Sequence, residues 1–120
     1  MANILIVDDS AFMRNMVKDI LVQEGHTIVG EAADGDDAIA KYKELRPEIV
    51  TMDVVMPGTD GIDAVRGIIE SDPNAKIIMC SALGQREMVV DALEAGAKDY
   101  IVKPFQPLMV KEVVKKILLL

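Results

Sequence analysis

Five short apolar runs, each followed by a helix-like segment, constrain the fold more than any other feature of this sequence. The runs are rich in Ile and Val and do not alternate with polar residues, which is typical of strands buried in a parallel sheet. They cover Asn3 to Val7, Thr27 to Ala32, Glu48 to Met52, Lys76 to Ser81 and Asp99 to Val102. Such a (βα)₅ chain predicts a doubly wound α/β domain with right-handed crossovers and helices on both faces of the sheet.

The segments between these runs have the periodicity of amphipathic helices. In the first helix the core-facing positions, spaced at i, i+3, i+4, i+7 and i+8, are Met13, Met16, Val17, Ile20 and Leu21. Arg14, Lys18 and Asp19 are predicted to face water. Pro107 stands near the start of the last helix, where its missing N–H does no harm. No linker, repeat or low-complexity stretch interrupts the pattern, so residues 1–120 are predicted to form one domain.

Composition excludes several classes of function. The net charge is −7, from 13 Lys and Arg against 20 Asp and Glu, and the basic residues form no cluster, which argues against direct binding to nucleic acid. The single cysteine, Cys80, lies in an apolar run and is predicted to be a buried thiol. We find no basic leader and no apolar stretch long enough for a membrane span, so we expect a cytoplasmic protein without membrane contact.

The residues that end the apolar runs are the candidates for chemistry, because ligands of open α/β sheets bind outside the carboxyl ends of the strands. Asp8 and Asp9 follow the first run, and Asp53 follows the third. Ser81 ends the fourth run and Lys103 follows the fifth. Acidic residues, a hydroxyl and an ammonium group therefore belong to the same edge of the predicted sheet.

The order and spacing of these residues resembles the receiver-domain family of two-component signalling over essentially the whole chain. The matching motifs are Asp8-Asp9, Asp53-Val54-Val55-Met56-Pro57-Gly58, Ser81-Ala82 and Lys103-Pro104-Phe105. Residues 10–14, 80–82 and 96–100 extend the similarity to single-domain chemotaxis regulators of the CheY type.

The strand order 2-1-3-4-5, carried over from this family, makes the first and third strands neighbours, roughly 4.8 Å apart. Asp8, Asp9 and Asp53 should then converge on one small site. Their repulsion requires either a raised pKa on one carboxyl or a bound cation, and oxygen ligands favour Mg²⁺, with Mn²⁺ as an alternative. Lys103 is expected to face these carboxylates, with Ser81 on the strand between Asp53 and Lys103. Together these residues supply the groups that phosphoryl transfer to an aspartate requires.

The resemblance assigns a role to each residue of this set. It implies that Asp53 is the phosphoacceptor and that Asp9 and Asp53 bind the metal directly. Asp8 would act through water, and the backbone carbonyl of Val55 would complete the protein ligands.

The same resemblance implies a switch. Ser81 would move toward the phosphoryl oxygens, and Tyr100 would turn inward into the space it leaves. That motion would connect the site with the surface formed by the fourth helix, fifth strand and fifth helix. The bond between Lys103 and Pro104 is expected to be cis.

The resemblance implies a signalling switch in a phosphorelay, similar to a chemotaxis regulator. It does not imply an enzyme that acts on outside substrates. Its partners would be a histidine kinase, a downstream target such as a motor or motor adaptor, and a phosphatase. Apolar Val55 and Leu83 near the site predict slow loss of its own phosphate. A receiver module or a phosphorelay intermediate of another pathway remains an alternative.

Two readings outside this family fit less well. A phosphatase of the haloacid dehalogenase type needs a second aspartate at the position of Val55. A flavodoxin-like FMN carrier needs a hydroxyl- and glycine-rich loop where this chain has Asp8 and Asp9, whose charges would repel a phosphate.

Overall fold

The computed structural model describes all 120 residues and has five strands that alternate with five helices. The strands are β1 (Asn3–Val7), β2 (Thr27–Ala32), β3 (Ile49–Asp53), β4 (Ile77–Ser81) and β5 (Asp99–Val102). The helices are α1 (Ala11–Gln23), α2 (Gly35–Leu45), α3 (Gly61–Ser71), α4 (Arg86–Ala95) and α5 (Pro107–Leu118). All strand pairs are parallel, in the order β2-β1-β3-β4-β5. The predicted fold class and strand order are confirmed.

Two of the five predicted strands have different ends. The third begins one residue later than predicted, at Ile49, and runs one residue further, to Asp53. It extends because Asp53 still pairs with Cys80 in the ladder between β3 and β4. The fourth begins at Ile77 instead of Lys76.

Apolar residues on both faces of the sheet explain why the runs do not alternate with polar residues. Successive side chains of a strand point to opposite faces. Leu5 and Val7 pack in a core cluster with α2, α3 and α4, whereas Ile4 and Ile6 pack in a second cluster with α1 and α5. The helices therefore cover both faces of the sheet. None of the helices combines the length and the apolar character that a membrane span requires.

Side-chain caps fix where three of the helices start. Ser10, Asp34 and Asp60 each accept a hydrogen bond from the backbone N–H three residues further on, at the starts of α1, α2 and α3. A cap of this kind stabilises a helix by about 1 kcal/mol. Each cap ends the loop that follows β1, β2 or β3, so the three caps also hold the loops that border this edge of the sheet.

Gly61 allows α3 to begin in close contact with the end of β3. A Cβ atom at this position would overlap the backbone oxygen of Asp53 and would lie 2.8 Å from that of Val54. The Gly61 N–H donates to the Val54 oxygen at 3.0 Å. The backbone next to Asp53 is therefore packed against a position that has no room for a side chain.

We expect Gly61→Ala to lower the free energy of unfolding by about 2–3 kcal/mol, because the added methyl group meets backbone atoms that cannot yield. Urea unfolding followed by circular dichroism measures this. Gly67→Ala in the same helix is the control, because its Cβ would meet the movable end of Ile39 at 2.5 Å. Alanine also favours a helix by about 1 kcal/mol over glycine. Equal losses in both variants would contradict the close approach.

Candidate functional site

Three carboxylates meet at the carboxyl edge of the sheet. Val7 pairs with Met52 in the ladder between β1 and β3, so Asp8 and Asp53, the next residues, lie side by side. One carboxylate oxygen from each of Asp8, Asp9 and Asp53 lies within 4.8 Å of the others. Asp8 and Asp53 are 4% and 6% exposed, whereas Asp9 is exposed to solvent. The structure thus brings together the three acidic residues that the sequence singled out.

Lys103 reaches this cluster from β5, two strands away from β3. Its Nζ lies 3.1 Å from Asp8 Oδ2 and 3.4 Å from Asp53 Oδ2. Its backbone N–H donates to the Ser81 oxygen at 2.6 Å, which continues the pairing between β4 and β5 beyond the end of the strand. The peptide bond between Lys103 and Pro104 is cis.

The charges of the cluster are not balanced by protein groups alone. Burial raises the pKa of Asp53 to about 6, and the Asp8 carboxylate adds to this rise while Lys103 opposes it. Burial by itself lowers the pKa of Lys103, but Asp53 and Asp8 outweigh it, so that this pKa is raised. One firmly protonated ammonium group thus faces three carboxylates, and a small cation would supply the missing positive charge.

The donor atoms suit a hard divalent cation. All three side chains offer oxygen, without nitrogen or sulfur ligands, which is the chemistry preferred by Mg²⁺. Val55 lies in the loop that follows β3, two residues beyond Asp53, and its side chain is 45% exposed. Its backbone carbonyl is therefore carried by a segment that adjoins the cluster.

Ser81 and Tyr100 occupy different environments. Ser81, the last residue of β4, is 2% exposed and lies next to Val102 in the ladder. Tyr100 lies on β5 with 46% of its surface exposed, so its ring is outside the core in this conformation. The Ala82 N–H donates to the side-chain oxygen of Gln85 at 2.7 Å, and this bond holds the loop that follows Ser81.

A groove of about 660 Å³ lies beside the site, along β5 and α5. Its lining includes Leu83, Tyr100, Val102, Lys103 and Met109. Leu83 is 85% exposed and Met109 is 57% exposed, so the groove presents apolar side chains to solvent. Lys103 belongs both to this lining and to the carboxylate cluster.

The sequence-based prediction for Arg14 was wrong. It placed this residue on the water-facing side of α1, but only 20% of the side chain is exposed. Its Nη1 donates to the backbone oxygen of Asp8 at 2.7 Å, and its Nε donates to Glu31 at 3.1 Å. Helical periodicity identifies the face from which a side chain leaves, but it does not show that a long side chain reaches a neighbouring turn. Gln85 was also missed, because its contact depends on the shape of a loop.

Comparisons with known proteins identify the family to which the chain belongs. The response regulator receiver domain family matches residues 4–115. The chain is 59% identical over 114 residues to a chemotaxis protein CheY of Thermotoga maritima, with 95% of each chain covered. It is 58% identical over 115 residues to that of Bacillus subtilis, with 96% of each covered.

A solved structure is similar in fold as well as in sequence. It is the crystal structure of the CheX-CheY-BeF3-Mg²⁺ complex from Borrelia burgdorferi, which superimposes with a TM-score of 0.92 at 44% identity. The match covers 97% of this chain and 88% of that one.

The raised pKa of Asp53 predicts a pH-dependent cost of ionising this carboxyl in metal-free protein. Because the folded-state pKa of about 6 exceeds the ordinary value of 3.8, the contribution of this group favours folding below about pH 4 and is lost as the pH rises through 6. With a chelator present, we expect Asp53→Asn to raise the free energy of unfolding by about 1–2 kcal/mol at pH 8, discounted for solvent screening. At pH 4 we expect little change.

Urea unfolding at the two pH values measures the effect. Asp19→Asn, which changes an exposed aspartate of α1, is the matched control and should change the unfolding free energy little at either pH. A destabilised Asp53→Asn variant at pH 8 would show that the carboxylate is favoured, not strained, in the folded protein.

Proposed function

Since the chain belongs to the response regulator receiver domain family, whose role is phosphorelay signalling, we propose that it accepts a phosphoryl group on Asp53 from a histidine kinase of a chemotaxis-type pathway. The observation that carries the proposal is the position of the Asp53 carboxylate, within 3.4 Å of Lys103 and beside the carboxylates of Asp8 and Asp9. We further propose that residues 1–120 act as one receiver domain.

Asp53 is the carboxylate best placed to be the acceptor. It ends the central strand of the sheet, between the residues contributed by β1 and those contributed by β4 and β5. In the transfer, an Asp53 oxygen attacks the phosphorus of a phosphohistidine, the P–N bond breaks, and its electron pair leaves with the imidazole. Lys103 already lies against the Asp53 carboxylate, where its ammonium can stabilise the charge that spreads over the phosphoryl oxygens.

Asp8, Asp9 and Asp53, with the Val55 carbonyl, are proposed to hold Mg²⁺. The excess of negative charge and the oxygen-only donor set support this assignment, and Mn²⁺ fits the same donors. When bound, the cation would draw negative charge from the phosphoryl oxygens and orient them for in-line attack. Asp9, the exposed member of the set, is accessible to an ion that enters from solvent.

The proposed output is a change in the groove beside the site. A phosphoryl group on Asp53 would draw the Ser81 hydroxyl toward its oxygens, and Tyr100 would turn from solvent toward the space that Ser81 leaves. Ser81 is 2% exposed and Tyr100 is 46% exposed, so before phosphorylation Ser81 lies inside the fold and the Tyr100 ring lies outside the core. A Tyr100 ring that is equally exposed after phosphorylation would contradict this coupling.

We propose that a downstream target, such as a motor or a motor adaptor, binds this surface. The apolar lining of the groove supports a protein partner and not a nucleic acid. The similar structure from Borrelia burgdorferi contains CheX together with CheY. We infer that this chain likewise has a partner of that kind, acting as its phosphatase, and that the pathway operates in the cytoplasm.

Asp53 should be labelled by small phosphate donors. When the protein is incubated with acetyl phosphate or phosphoramidate and Mg²⁺, we expect the intact mass of the wild type to increase by one phosphoryl group. Asp53→Asn should show no increase, because the nucleophile is removed. Asp19→Asn, an exposed aspartate on α1, should label as the wild type does. Equal labelling of Asp53→Asn and the wild type would disprove the assignment.

The same assay follows the loss of the label. Val55 and Leu83 are exposed and apolar, so neither offers a polar group that orients a water molecule for attack on the phosphoryl group. We therefore propose that the label decays slowly after the donor is removed. Val55→Asn should speed the decay several-fold, since an amide can position the water. Identical decay in the variant would count against this explanation of the lifetime.

A further inference from the structure

Arg14 of α1 contacts the turn that carries Asp8 and Asp9. Its Nη1 donates to the Asp8 backbone oxygen at 2.7 Å, and its Nε donates to Glu31 Oε1 at 3.1 Å. Glu31 lies on β2, next to β1 in the sheet. One guanidinium group therefore ties the start of α1, the end of β1 and the edge strand together.

The remaining polar groups of Asp8 are also bonded. Its backbone N–H donates to the Ala32 oxygen at 3.1 Å, and its Oδ1 accepts from the Ser10 N–H at 2.9 Å. Its Oδ2 faces Lys103 at 3.1 Å. With Arg14 on the carbonyl oxygen, both backbone groups and both carboxylate oxygens of Asp8 are fixed. The direction in which the chain leaves Asp8 toward Asp9 is thus set in part by Arg14.

We propose that Arg14 is a positioning residue for the divalent-cation site, acting through the backbone of Asp8. This inference rests on the proposed function of Asp8, Asp9 and Asp53. The guanidinium has five N–H donors in a planar fork, so it bonds a carbonyl and a carboxylate at once. A lysine has a single ammonium at the end of a flexible stem and does not reproduce this pair of contacts.

Whether Mg²⁺ binding becomes weaker or tighter when Arg14 is removed distinguishes a positioning role from a purely electrostatic one. Arg14 is a cation close to a cation site, so on Coulomb grounds alone its removal would tighten Mg²⁺ binding. If it positions the turn, its removal weakens binding, because groups that orient metal ligands typically contribute about 10–100-fold to affinity.

Lys18 provides a matched control on the same helix. It lies one turn after Arg14, and its Nζ is 3.8 Å from Glu31 Oε2. It therefore carries the same charge and shares the same partner, but its only ion pair is with Glu31 and it does not bond the Asp8 carbonyl.

The test is calorimetric titration of Mg²⁺ into wild type, Arg14→Met, Arg14→Lys and Lys18→Met. We expect Arg14→Met to raise the Kd about tenfold, Arg14→Lys to restore little of the loss, and Lys18→Met to bind like the wild type or slightly more tightly. In the absence of metal, the Ser10 amide, which donates to Asp8 Oδ1, should exchange with solvent faster in Arg14→Met than in Lys18→Met. Unfolding with a chelator present verifies that the variants are folded.

Glu31→Met is a second variant that keeps Arg14 but removes its support, and we expect it to weaken Mg²⁺ binding by a smaller factor. Unchanged Mg²⁺ affinity in a folded Arg14→Met, or an equal loss in Lys18→Met, would overturn the inference and leave the proposed function standing. If Arg14→Met does not fold, unchanged affinity in Glu31→Met overturns it. Absence of Mg²⁺ binding to the wild type would instead overturn the proposed metal site itself.

Discussion

Mutual repulsion among three carboxylates at one edge of the sheet is the constraint on which the rest of the site depends. Parallel strands carry their carboxyl ends to the same edge, so residues after β1 and β3 are forced together whatever their charge. Lys103 offsets part of the repulsion by lying between Asp8 and Asp53. Burial raises the pKa of Asp53, and the Asp8 carboxylate adds to this rise. A site built in this way suits a cation, because it holds three carboxylates against one ammonium group.

Several contacts fix the backbone around the carboxylate cluster. Gly61 lets α3 approach the end of β3, Arg14 holds the carbonyl of Asp8, and caps hold the first turns of three helices. The loop after Ser81 is held differently, by a hydrogen bond from Ala82 to the side chain of Gln85. A single side-chain contact of this kind is worth about 1 kcal/mol.

Much of this arrangement follows from the sequence because it depends on periodicity and on strand ends. Runs of Ile and Val identify the buried strands, and the polar residues that follow these runs identify the site from the sequence alone. Strand limits differ by one residue at Ile49, Asp53 and Ile77 because the hydrogen-bonded ladder decides where a strand ends. Arg14 could not be assigned in this way. Its partners, the Asp8 carbonyl and Glu31, become neighbours only when α1 packs beside the pair of β1 and β2.

β5 is the element that connects the site with the groove, and in the proposed switch it would carry the effect of a phosphoryl group on Asp53 to the surface. Lys103 follows this strand and lies against two carboxylates, while Tyr100, three residues earlier, lines the groove. Ser81 pairs with Val102 in the adjacent strand, so the proposed shift of Ser81 would act on β5 through the ladder as well as through side chains. The side chains of the buried central strands are close-packed on both faces, so they have little room to change places. β5 is one of the two edge strands and is exposed at Tyr100 and Val102, so its outer side chains can move with less repacking than those of the buried central strands.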